Sequence, residues 1–345
     1  MTADVVSLTQ QLVSIPSVSG AEHGCVALLA KLLPSAVVSG RNVYAVRGDG
    51  ANTLLLNSHT DTVPASAEWT NEPHAAQRRD GKIFGLGAND AKGPLAALVV
   101  AFLRARVPAS GRLVLAATCD EETGGDGLGV LRPELPTLSA AIIGEPTTCT
   151  VCSCQRGLLR LRLHARGRRA HAARPWQGEN AIEKAARDVS RLAALDLPEH
   201  PLLGPATLQV TMIDGGVKTN VVPPECVMEI DARTIPALDN AAAAARVRDL
   251  VESDVELVSD RFVPLETPSD AAIVRAALAA SGTEHAHAFG GVSDFFHVRD
   301  VPAIVMGPGR SEQSHAADEW VEVEQLERAV AVYGATIERY FDEPG

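Results

Sequence analysis

The segments RLVLAATCD, Arg112–Asp120, and SAAIIGEP, Ser139–Pro146, each contain a short unbroken apolar run closed by polar or turn-forming residues. A strand with one wet face alternates, whereas a strand that is apolar throughout must be covered on both faces, which favours a parallel sheet between helices. The surrounding pattern agrees. Thr53–Leu56 is another such run, helical spacing covers Pro94–Arg106, and Leu113–Ala117 and Ala140–Ile143 follow as strands. This order predicts an α/β fold on a mixed, largely parallel sheet with helices on both faces. The segment after Asp90 is apolar on every side, as an interior helix is.

The pattern changes near Gln155. Leu158–Ala165 alternates (LLRLRLHA), Asn180–Leu195 reads as a helix, Thr207–Ile213 and Cys226–Arg233 as strands, and Ala237–Val251 as a second helix. Completed by a final strand, this is the order of a ferredoxin-like α+β module with one open sheet face. The first pattern then resumes with a helix at Ala271–Ala280, a strand at Ala303–Met306 and a closing helix at Glu322–Tyr340. Residues 1–154 and 268–345 are therefore expected to form one domain, with 155–267 inserted into it. Two domains also suit a chain of 345 residues, because single cores stop growing near roughly 250 residues.

A formal net charge of -12 argues against nucleic acid as a partner, since phosphate contacts need clustered Lys and Arg. No apolar stretch reaches the roughly 18 residues of a membrane span, and the N-terminus lacks a basic segment followed by an apolar run. With six cysteines and no secretory signal, a cytoplasmic location with reduced thiols is expected. Cys149, Cys152 and Cys154 are close in sequence, but no second Cys/His pair follows at the spacing of a structural zinc site.

Metal-capable side chains lie just beyond the carboxyl ends of these runs, the edge at which open α/β sheets build sites. His59 and Asp61 follow the strand ending at Asn57, Glu121 and Glu122 the strand ending near Thr118, Glu145 follows Ile143, and His315 comes after the strand ending at Met306. Asp90 precedes a helix in GLGANDAKG. Taken singly, each has an ordinary explanation: a capping pair, a solvated turn, a helix N-cap or a surface histidine. Five separate segments delivering imidazole and carboxylate to one edge point instead to paired zinc ions sharing an activated water. Of two adjacent glutamates, one can ligate while the other takes the water's proton. Asp61 can hold the second imidazole nitrogen of His59.

These residues lie in SHTDTVP (58–64), GLGANDAKG (85–93), CDEETGG (119–125), IIGEPT (142–147), RRAHAARP around His171, GGVKTNVVPPECVMEIDAR (215–233) and MGPGRSEQSHAADEW (306–320). In order and spacing they resemble the co-catalytic zinc aminoacylases and peptidases, the superfamily of acetylornithine deacetylase and succinyl-diaminopimelate desuccinylase. The resemblance implies a zinc aminopeptidase-like domain with an inserted dimerisation domain, a homodimer, and two divalent ions, zinc or alternatively cobalt. It implies Asp90 as bridging ligand, His59 and Glu145 on one metal, Glu122 and His315 on the other, Glu121 as general base and Asp61 as the partner of His59. His171 would polarise the scissile carbonyl in the partner's site; otherwise it is a turn residue beside Arg168 and Arg169. Asn220 and Arg233 would contact substrate, although Arg233 could equally serve a structural ion pair. Gly291 and Ser293, in GGVSDFF (290–296), would belong to a substrate loop. The implied reaction removes the N-acyl group of a small amino acid. N-acetylornithine, in arginine biosynthesis, is preferred. N-acetylcitrulline, an acetylated or carrier-linked lysine, and succinyl-diaminopimelate are the alternatives, with a non-catalytic binding protein on the same fold as the rival of another class.

Overall fold

The computed structural model describes residues 4–343. They fall into two compact units: one holds the chain through Ser153, Thr267–Phe289 and the chain from Ser293; the other holds Cys154–Glu266 and residues 290–292.

The sheet of the first unit runs in the order Val37–Ser39, Asn42–Arg47, Gly111–Thr118, Asn52–His59, Ala140–Ile143, Ala303–Val305, Cys152–Gln155. Asn52–His59 is parallel to both its neighbours, and Ala303–Val305 is parallel to Ala140–Ile143. The pairings outside this group are antiparallel. Because side chains alternate along a strand, each apolar run supplies two faces. Leu54, Leu56, Leu113, Leu115 and Ile142 join the main core with the helices Val5–Val13, Lys92–Arg104, Ala272–Ser281 and Val323–Asp342. Leu55, Val114, Ala141 and Ile143, which lie between them in sequence, are buried as well but outside that cluster. On that other side the sheet is contacted by the short helices Gly127–Leu131 and Asp294–Val298.

The helix after Asp90 runs from Lys92 to Arg104 and is buried from Lys92 to Phe102, including the lysine. It starts two residues before the expected Pro94 because Leu95 N donates to Ala91 O at 2.9 Å, which sets the proline inside the first turn, where its missing N–H leaves no bond unmade. Lys92 Nζ donates to Ile15 O at 2.8 Å, and burial pulls its pKa below the usual lysine range. Ala272–Ser281 ends at Gly282, whose φ of 73° is the left-handed C-terminal stop that suits glycine.

The second unit has an antiparallel sheet in the order Thr207–Gly215, Glu225–Thr234, Gly157–Arg166, Asp254–Phe262, with helices Ala181–Ala193 and Asn240–Leu250. This is the ferredoxin-like arrangement. Leu159, Leu161, Leu163 and Ala165 face inward. At the alternate positions Arg162 pairs with Glu229 at 2.9 Å, His164 with Glu256 at 2.9 Å and Arg166 with Asp254 at 2.9 Å. Asn180 and Asp239 cap the two helices through their side chains.

Candidate metal centre

Parallel pairing aligns the strand ends. His59 lies opposite Thr118, and Asn57 opposite Ile143, so the residues that follow these strands emerge together. His59 is buried; its Nε2 lies 3.3 Å from Asp90 Oδ1 and 4.0 Å from Glu145 Oε1. His315 Nε2 lies 2.8 Å from Glu122 Oε2 and 3.8 Å from Asp90 Oδ2. The two oxygens of Asp90 thus face two different histidines. Ligand atoms of His59, Asp90 and Glu122 all fall within 4.8 Å of one another.

Asp61 joins the imidazole to the glutamate turn. The nearest acceptor to His59 Nδ1 is the Asp61 carbonyl oxygen at 3.0 Å, with the carboxylate at 3.4 Å. The carboxylate also accepts from Ser19 Oγ at 2.7 Å, Glu121 N at 3.2 Å and Glu122 N at 3.1 Å. It anchors the turn Glu121–Thr123 through the backbone.

Asp90 is presented by a loop that Glu319 holds. This buried carboxylate accepts from Gly87 N at 2.9 Å, Asn89 N at 2.7 Å and Asp90 N at 2.9 Å. Burial raises its pKa to about 8 against the pull of these donors. The strand Trp320–Glu322 pairs with Lys82–Phe84 and brings Glu319 to that loop. Asp90 does not cap the helix: Ala91 occupies that position, and the Asp90–Ala91 peptide is cis.

The electrostatics are those of a cation site. Burial raises the Glu145 and Glu121 carboxyls well above the ordinary range, with Asp90 and Asp294 adding repulsion and His59 opposing it. Burial opposes charge on His59, yet Asp61, Asp90, Glu121 and Glu145 raise its pKa well above the usual value. The hydrogen bond that His315 donates to the Glu122 carboxylate pushes the imidazole up to about 9. Among the described residues Glu145 Oε1 is buried with no hydrogen-bond partner, a costly state for a carboxylate oxygen unless a cation meets it. The residues present therefore fit divalent metal ions.

The family model described as "Peptidase family M20/M25/M40" matches residues 55–339. The chain belongs to this family. Membership makes it a metal-dependent amide hydrolase. It is 32% identical to succinyl-diaminopimelate desuccinylase of Cereibacter sphaeroides, over 99% of this chain and 100% of that protein. It is 31% identical to the desuccinylase of Xanthomonas euvesicatoria, over 99% and 100%. In fold it resembles aminopeptidase PepT from Bacillus cereus, with a TM-score of 0.81 at 22% identity over 97% of this chain and 98% of that one. It also resembles the Bacillus subtilis YXEP protein, a dinuclear metal binding peptidase, with a TM-score of 0.74 at 16% identity over 96% of each chain.

The remaining expected residues lie apart in sequence from this cluster. His171 is exposed in the second unit, and its Nδ1 accepts from Ala173 N at 3.1 Å, which leaves the proton on Nε2. Asn220 is exposed nearby, its carbonyl accepting from Ala172 N at 3.0 Å. Arg233 pairs with Asp231, Nε to Oδ1, at 2.7 Å. Gly291 is exposed, whereas Ser293 is buried and caps the turn at Phe295 N. Among the described cysteines, Cys149 and Cys152 turn to the carbonyls of Gln325 and Thr150. Sequence reasoning missed Glu319 and Asp294. Asp294 is a buried acid that accepts from Thr118 Oγ1 at 3.0 Å. Its signal in GGVSDFF was an acid directly before two phenylalanines.

Proposed function

We propose that the chain removes the N-acyl group of a small amino acid with two divalent ions, zinc ahead of cobalt. Asp90 would be shared, His59 and Glu145 would hold one ion, and Glu122 and His315 the other. The observation that carries this reading is the pair of Asp90 oxygens facing two histidines, beside the unpartnered Glu145 oxygen. When bound, such ions supply a water acidic enough to lose its proton near neutral pH and polarise the carbonyl under attack. Glu121 takes that proton and returns it to the departing amine. Asp61 holds His59 from the side away from Asp90 and fixes the Glu121 backbone, so base and ligand share one anchor. His171 donates from Nε2 to the carbonyl oxygen of substrate in the partner subunit of a homodimer. Asn220 contacts substrate, and Arg233 would receive a carboxylate only by sharing itself with Asp231. Gly291 and Ser293 line the substrate loop.

The curated relatives move succinyl-diaminopimelate ahead of N-acetylornithine as the substrate to test first. A cytoplasmic biosynthetic role without nucleic acid or membrane accords with the charge and cysteine content; among the described residues no helix is long and apolar enough to cross a membrane. Zinc-loaded protein should hydrolyse one of succinyl-diaminopimelate, acetylornithine, acetylcitrulline and acetyllysine well above the others. Inactivity on all four, with metal bound, would refute the reading. Glu121→Gln should keep its metal while turnover falls about 10²- to 10⁴-fold, the usual contribution of a positioned base.

A further inference from the structure

The turn carrying Glu121 and Glu122 has a second set of supports outside the metal ligands. Arg41 Nη1 donates to both oxygens of Glu22 at 2.8 Å and to Asp120 Oδ1 at 2.8 Å, while its Nη2 donates to Asp120 Oδ2. Glu22 is buried and also accepts from Gly20 N at 2.9 Å. The next residue, Asn42, accepts from Cys119 N at 3.0 Å and donates to Gly127 O at 3.1 Å. Both ends of loop 119–127 are therefore held from one strand start.

This loop needs holding. Asp120 has φ 61°, a left-handed conformation that a residue with a side chain adopts at a cost. A Cβ on Gly127 would stand 1.9 Å from Cys119 O, so the loop folds back on itself more tightly than another residue allows. Ligand-capable atoms of Glu22, Cys119 and Asp120 lie within 4.8 Å of one another. Two carboxylates at that separation repel unless a cation lies between them, and the guanidinium fork is that cation.

We infer that Arg41 is a positioning residue: forked onto Asp120 and Glu22, it fixes the left-handed turn that presents Glu121 and Glu122 to the metal centre. The effect on turnover rests on the proposed function, whereas the order of the turn can be measured without it. The role is geometric, so the pH profile should stay in place while its height falls.

The test compares metal-loaded full-length protein with Arg41→Met, Arg41→Lys and Asp120→Asn. Backbone amides of residues 119–127 should exchange about tenfold faster in Arg41→Met, with residues 52–59 unchanged and Arg41→Lys intermediate. Turnover per loaded molecule should fall by up to about 10²-fold at nearly constant KM, the effect of a displacement on the order of 1 Å. Adding Asp120→Asn to Arg41→Met should cost little more, because both break one contact. Unchanged exchange at 119–127, equal acceleration along the whole chain, or normal kcat per loaded molecule would overturn the inference. If the wild type hydrolyses none of the substrates, the proposed function fails and exchange alone decides the role of Arg41. If Arg41→Met does not fold, Arg41→Lys carries the same comparison.

Discussion

At the scale of single residues, chemistry is legible where a reactive type stands just past an apolar run, as with His59, Glu121, Glu122 and Glu145. It is not legible where a residue works through a partner distant in the chain. Arg41 and Asp120 are 79 positions apart, and Glu319 and Asp90 are 229 apart; neither pairing leaves a mark in local composition. Burial is similarly hidden at Cys149, whose thiol lies in the core and is pushed up to about 11 from an ordinary 9.0. Below pH 9 both the folded and the unfolded thiol keep their proton, and the contribution to stability is complete. Between about 9 and 11 the unfolded chain loses its proton first, so stability falls as pH rises, by about 2–3 kcal/mol for this group. Cys149→Ala should flatten the decline of the urea midpoint over that interval; an unchanged slope would remove the thiol as its cause.

At the scale of elements, runs buried on both faces marked the strands well. Ala140–Ile143 has the expected bounds, and Gly111–Thr118 extends the expected Leu113–Ala117 by residues whose burial depends on neighbours. The helices Val5–Val13 and His23–Leu32 and the strand Asn42–Arg47 lie outside the elements the sequence pattern marks. The strand NVYAVR is short, paired antiparallel on both sides and mixed in burial, so its sequence lacks the continuous apolar run that marks the interior strands. The connection from Gly85 to Asp90 is fixed by another element's acid rather than by its own sequence. Glu319→Ala would leave three buried or half-buried N–H groups without their acceptor. We expect a loss of about 1–3 kcal/mol in stability and roughly 10- to 100-fold in metal affinity, read by thermal melting and metal titration. Unchanged affinity would mean that Asp90 holds its place without the loop contacts.

At the scale of the whole molecule, alternation and element order made the second unit's ferredoxin-like sheet legible. Its edge strand Thr207–Gly215 leaves Met212 at 64% and Ile213 at 56% exposure, the kind of edge another strand can extend. If this edge forms the proposed homodimer, Ile213→Arg should sediment as a monomer and lose turnover, because His171 would then lack a partner's site to serve. A fully active monomer would refute the arrangement. The first unit's topology also bears on how the protein is made. Ala303–Val305 is laid between Ala140–Ile143 and Cys152–Gln155, strands translated about 150 residues earlier, and His315 follows later still. Until the ribosome has passed that point the sheet lacks the strand that joins those two, and the proposed centre lacks a histidine. The proposed ligand set is therefore complete only near the end of synthesis, and a chain stalled earlier would offer bare strand edges to chaperones and proteases.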